Sequence, residues 1–123
     1  MELVVLEPRD PTPIYAQLDR GLRAAIATGR LRAGDQLPTV RQLAVELQVN
    51  ANTVARVYAE LERAGVLETR RGVGSFVAAA SHDARPADAK ARALRAFATR
   101  VLADAAAAGF SGDEVVAALG EQH

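Results

Sequence analysis

Cysteine is absent from this 123-residue chain, which excludes disulfide bonds and thiolate metal sites. Histidine occurs twice, at His82 in a polar stretch and at His123. Neither has acidic or cysteine residues at ligand spacing, so no zinc site and no imidazole general base is expected. The single lysine, Lys90, has nothing beside it that would support Schiff-base chemistry. No apolar run approaches the length of a membrane span, and the acidic opening Met1-Glu-Leu-Val-Val-Leu-Glu7 lacks the basic region of a signal peptide. The expectation is a cytoplasmic protein without a membrane partner. Excess charge is missing as well: 15 basic residues balance 15 acidic ones. That balance counts against a protein that holds nucleic acid by bulk charge alone. The length allows one compact domain plus an appendage, with no room for an enzyme domain. No catalytic activity and no cofactor are expected.

What the chain does contain is a patterned stretch from residue 37 to residue 78. Leu43, Ala44, Leu47, Val49, Val54 and Val57 fall where two short helices crossing steeply must interlock, with the small Ala44 at the closest approach. Thr39 and Gln42 form a capping box, in which each side chain satisfies an orphan backbone N–H, so a helix begins near Thr39. Asn50 is a good N-cap for the next helix, which should run to about Ala64 and stop at Gly65. In that helix Val54, Val57, Tyr58 and Leu61 make an apolar stripe and leave Asn52, Thr53 and Arg56 outside it. A major groove admits one helix and is read by amide, hydroxyl and guanidinium groups. A merely solvated helix face would look the same taken alone.

The next residues change the balance. Leu67 to Val77 reads as two short strands joined by a turn in which Gly72 and Gly74 permit positive φ or close backbone approach. Arg70 and Arg71 are expected at its tip, where paired guanidiniums suit phosphates or a narrow minor groove. Gly72-Val-Gly74 is no phosphate loop, because no lysine and no capping Ser or Thr follow at the required distance. A helix-turn-helix carrying such a wing is a DNA reader. Residues 41 to 74 hold five arginines (41, 56, 63, 70, 71) against four glutamates (46, 60, 62, 68), so placement must do what excess charge does not. The field is positive if Arg41, Arg56, Arg70 and Arg71 converge while Glu46, Glu62 and Glu68 point elsewhere.

Upstream, Ile14, Leu18, Leu22, Ala25 and Ile26 repeat with helical period, which predicts a first helix over residues 13–28. Pro38 requires the residues before it to be extended. Leu3-Val-Val-Leu6 reads as a short strand or arm. Gln48 stands where many helix-turn-helix turns use glycine; a left-handed residue there costs roughly 1 kcal/mol. After residue 80 the composition turns polar, so residues 81–88 read as a linker and residues 89–123 as two alanine-rich helices. Pro86 opens the first of these, and a second capping box, Ser111 to Glu114, opens the last. Two such helices cannot enclose a core alone. Pairing with a second copy would bury Leu94, Phe97, Val101, Phe110, Val115 and Leu119 in a homodimer interface, whereas folding back onto the winged domain would leave a monomer. A cleft around Phe97, Val101 and Phe110 is the candidate place for a small hydrophobic effector, although plain interface packing explains the same residues.

Pro13-Ile-Tyr-Ala-Gln-Leu18, Gly29 to Pro38, Arg41-Gln-Leu-Ala44, Val49-Asn-Ala-Asn-Thr-Val54, Arg56-Val-Tyr58 and Arg71-Gly-Val-Gly-Ser-Phe-Val77 resemble the GntR family of bacterial transcription regulators, in order and at its spacing. The short tail is similar to that of the YtrA subfamily, whose tails dimerise. The resemblance implies a winged helix-turn-helix fold, mainly α with a small β-wing. It also implies a repressor bound to a double-stranded operator, of the kind that controls transporter operons. On the matching positions it implies that Arg41 grips the operator and that Arg71 and Gly72 enter the minor groove. Asn50, Asn52, Thr53 and Arg56 then occupy the recognition segment, with Arg70 and Gly74 completing the wing. Ala51 departs from the family pattern, which leaves base preference undefined. The expected organisation is a DNA-binding domain over residues 1–80, the linker, and a dimerisation segment over 89–123, with an inverted-repeat operator. Two alternatives stay open: a winged helix that docks protein, and a regulatory subunit with no DNA contact of its own.

Overall fold

A computed structural model describes residues 3–79 and 85–122. Both histidines and residues 81–84 of the expected linker lie outside the described residues. The chain divides into two units, residues 1–81 and residues 82–123.

The first unit contains α1 (Ile14–Ala27), α2 (Val40–Leu47), α3 (Ala51–Arg63) and an antiparallel hairpin of β1 (Leu67–Arg70) and β2 (Gly74–Val77). Thr39 opens α2 as expected. The Gln42 amide donates to its hydroxyl at 3.1 Å, and its own amide donates to the Gln42 side chain at 2.9 Å. Asn50 opens α3 by accepting from the Asn52 amide at 2.8 Å. Between these helices Gln48 takes the left-handed conformation, with φ of 57° and ψ of 47°. The strain that the sequence foresaw is therefore present, and it lets the Val49 amide reach back to the Ala44 carbonyl at 3.0 Å.

Leu18 and Leu22 of α1, Leu43 of α2 and Val54 and Leu61 of α3 are fully buried in one core, so truncating any of these leucines to alanine would remove about 2–5 kcal/mol. Ala44 is buried where α2 meets α3, the position its small side chain predicted. Tyr58 is the core's polar anchor. Its hydroxyl donates to the Pro38 carbonyl at 2.7 Å, tying α3 to the extended segment that leads into α2. That segment does more than the sequence foresaw. Gln36 forms a bridge with Phe76, the Leu37 amide donates to the Ser75 carbonyl at 2.9 Å, and the Val77 amide donates to the Asp35 carbonyl at 2.8 Å. The far edge of the wing is thereby paired rather than left open.

Leu3 to Leu6 form an arm and no strand. Val4 is buried against Gly21, where an added Cβ would stand 2.5 Å from the Val4 Cγ1. The arm's main chain is held by the Gln17 amide, which bonds both the amide and the carbonyl of Glu7. A single glycine facing a single valine fixes its path.

The second unit consists of α4 (Ala87–Ala107) and α5 (Gly112–Gln122). Helix α4 starts inside the stretch expected to be linker, because Pro86 caps it and the Lys90 amide already donates to the Pro86 carbonyl at 2.9 Å. The second capping box is present: Glu114 and Ser111 exchange side-chain to amide bonds of 2.9 and 3.1 Å. These bonds hold the Glu114 carboxyl below the usual range. Among the described residues of this unit only Ala105 is buried. Leu94, Phe97, Phe110 and Leu119 are 56–65% exposed.

Candidate nucleic-acid interface

Helix N-termini carry partial positive charge and unpaired amides, and proteins commonly neutralise them with Asp or Glu in the first turn. Helices α4 and α5 do so with Asp88 and with Asp113 and Glu114. Helices α2 and α3 have no acidic residue in the first turn. Helix α2 instead carries the exposed Arg41 there, which works against its own dipole by a few tenths of a kcal/mol. A cation and an uncompensated helix end on one element attract an external anion.

On α3 the Asn52 side chain is exposed and Thr53 is half-buried, both in the first turn. Asn50 is exposed, but its side-chain oxygen is committed to the cap, so only its NH2 group is left to meet a ligand. Arg56, one turn further on, is exposed but leans on α1. Its guanidinium lies over the Tyr15 ring, 4.3 Å from the centroid, and 3.9 Å from the Glu60 carboxylate. A depression of about 230 Å³ lined by Tyr15, Asp19, Arg20, Arg56 and Glu60 marks this junction of α1 and α3.

Arg70 is the last residue of β1, paired with Gly74, and its carbonyl closes the turn by accepting from the Val73 amide at 2.9 Å. Its guanidinium lies 4.1 Å from the Phe76 ring centroid and 3.0 Å from Glu68. The strand geometry explains this, since residues two apart share one face of a strand and Glu68 and Arg70 thus lie side by side. Arg71, Gly72 and Val73 form the turn. Gly72 has φ of 77°, and Gly74 has φ of 142° with its missing Cβ position 2.7 Å from Gln36 Nε2. That same Nε2 donates to the Val73 carbonyl at 3.0 Å, bracing the turn from below.

The acids beside these arginines are engaged in different ways. Glu62 is turned to the Thr69 hydroxyl, which donates to it at 3.0 Å, whereas Glu68 sits against Arg70. Arg56 and Arg70 are thus partly neutralised, while Arg41 and Arg71 form no hydrogen bond, ion pair or ring contact with any described residue. Sequence reasoning passed over Tyr15 and Gln36. Tyr15 carried a signal, being an aromatic on α1 outside its buried stripe. Gln36 carried none, because its partner is 37 residues away.

The comparisons with known proteins agree with this architecture. The family model described as bacterial regulatory proteins, gntR family, matches residues 14–77. The HTH-type transcriptional repressor YtrA of Bacillus subtilis is 41% identical over 75 residues, covering 61% of this chain and 58% of that protein. The chain spans about half the length of the curated relatives it matches. Among solved structures, YtrA from Sulfolobus acidocaldarius, a GntR-family transcription factor, superposes with a TM-score of 0.62 at 29% identity, covering 83% of this chain and 99% of that one. The DNA-binding domain of AraR in complex with operator ORE1 superposes at 0.53 with 27% identity, over 61% and 92% of the two chains. With the match running from the first helix to the last residue of the wing, this chain belongs to the gntR family of bacterial regulatory proteins.

Proposed function

We propose that the chain is a cytoplasmic, homodimeric transcriptional repressor that binds an inverted-repeat operator in double-stranded DNA. The observation that carries the proposal is the pairing of an acid-free α3 N-terminus, bearing Asn52 and Thr53, with Arg41 and Arg71 on either side of it in sequence, neither of which has a partner among the described residues. In this reading α3 enters the major groove by its first turn, Arg41 and the α2 N-terminus hold a phosphate, and Arg71 and Gly72 follow the minor groove. Family membership and the operator complex of the similar AraR domain support it.

Dimerisation is carried by the second unit. Leu94, Phe97, Phe110 and Leu119 expose a surface that two helices cannot bury among themselves, and Val101 and Val115 are half-buried beside them. A second copy of the same hairpin is the occupant, because two winged domains then read two half-sites and combine contacts too few in one domain for selective affinity. No effector is assigned to this surface, since packing between copies accounts for the same side chains. The sign of regulation, repression, is supported by the similar YtrA of Bacillus subtilis, a transcriptional repressor.

Selection of bound duplexes from a random pool tests the proposal, with sedimentation of the free protein alongside. It predicts recovery of a two-fold symmetric site and a dimer at micromolar concentration. Recovery of no common sequence, or a monomer that binds a single half-site with full affinity, would refute it.

A further inference from the structure

We propose that Tyr15 is a positioning residue that turns Arg56 into a phosphate clamp at the groove edge and keeps it from reading a base. This rests on the DNA-binding reading above.

Arg56 lies outside the apolar stripe of α3 and one turn beyond the first-turn residues that reach base edges in helix-turn-helix docking. An extended arginine there would be free to follow Asn52 and Thr53 into the groove. Instead the guanidinium rests on Tyr15 of α1, 4.3 Å from the ring centroid, with Glu60 at 3.9 Å on the side away from the α3 N-terminus. A cation–π contact engages the guanidinium carbon and consumes none of its N–H donors, which a phosphate can accept. Glu60 is the resident ion-pair partner, beyond hydrogen-bond distance. At 3.9 Å with both side chains at least half exposed it is weakly held, so an incoming phosphate displaces it readily.

The surroundings suit an anion despite their acids. Asp19, which also lines the depression, is already engaged by Arg23 at 3.3 Å. Counting Arg20, Arg23 and Arg56 against Asp19 and Glu60 leaves one positive charge at this junction. The rest of α1 keeps Tyr15 in place: Leu18 and Leu22 are fully buried, whereas Tyr15 is 40% exposed and contributes its ring face alone. Tyr15 can therefore be changed without opening the core.

The test is a set of salt-dependent anisotropy titrations on the full chain with a selected operator duplex and with a scrambled one. Arg56→Gln is expected to weaken binding to both duplexes by the same factor and to reduce the slope of log K against log salt by about 1. Tyr15→Leu is expected to weaken both about two- to fivefold, the equivalent of an exposed cation–π contact, with Tyr15→Phe restoring the wild-type value. Tyr15→Leu added to Arg56→Gln should then have no further effect. Glu60→Gln should tighten binding. A changed base preference in Arg56→Gln would make Arg56 a base reader and overturn the inference. So would additive effects of the two substitutions, or a Tyr15→Phe variant as weak as Tyr15→Leu, which would mean that the hydroxyl makes the contact. Wild-type protein that binds neither duplex at low salt would instead remove the DNA reading on which the inference rests.

Discussion

In the proposed interface, Asn52 stands where helix stability and groove recognition ask for different residues. A carboxylate at that first-turn position would complement the α3 dipole by about 0.3–1 kcal/mol, yet the position holds an isosteric amide. The Asn52→Asp variant is expected to unfold at the same temperature or a higher one while its affinity for duplex DNA falls at least tenfold, on the order of 1.4 kcal/mol. Circular dichroism melting beside a DNA titration separates the two effects, and unchanged affinity would take Asn52 out of the interface. Gln48 shows the opposite situation, strain without a reader's task. Its left-handed φ of 57° predicts that Gln48→Gly stabilises the first unit by up to about 1 kcal/mol in urea unfolding. A neutral or destabilising result would mean that the Gln48 side chain offsets the strain. At this scale the capping residues Thr39, Asn50 and Ser111 were legible because a cap acts within three residues of itself. The partners of Arg70 were not, because a strand's neighbours across and along the sheet, Phe76 and Glu68, decide where a guanidinium lies.

The elements were legible for the same local reason: apolar spacing and caps specify α1, α2, α3 and the hairpin within one or two residues of their ends. What joins one element to another was not. The bridge of Gln36 to the wing and the stack of Arg56 on Tyr15 are contacts between residues 37 or more positions apart, which no periodicity encodes. The Tyr58 hydroxyl is such a joint as well, tying α3 to Pro38, and burial raises its pKa far above the ordinary tyrosine value of 10.0. The unfolded chain ionises this group near pH 10 and the folded one resists doing so. The stabilisation is therefore complete below that pH and is lost as the pH rises above it. Melting temperature is expected to hold steady to about pH 9 and then fall, with Tyr58→Phe lowering the plateau by the loss of one hydrogen bond, about 1 kcal/mol, and flattening the alkaline decline. An unchanged decline in that variant would place the alkaline sensitivity elsewhere.

At the scale of the whole molecule, zero net charge is reconciled with the proposed DNA binding by position. Acidic residues stand in the first turns of α4 and α5, while the first turns of α1, α2 and α3 hold none. The two units also differ in what they bury. The first unit buries its stripes, and the second leaves Phe97 exposed, with Arg100 5.7 Å from its ring centroid. Phe97→Glu is accordingly expected to convert a dimer to a monomer in sedimentation and to weaken operator binding more than tenfold, without lowering the melting temperature of the winged unit. A dimer that survives the substitution would move the interface away from this face.

The central claim is that the first turn of α3, the start of α2 and the turn of the wing together form the DNA-contacting surface. Amide chemical-shift mapping during titration with a selected operator duplex addresses it directly. The account predicts that the largest perturbations fall on Arg41, on Asn50 to Thr53, on Arg56 and on Arg71 to Gly74, while α5 is unaffected. Saturable binding with the perturbations centred on other residues would contradict it.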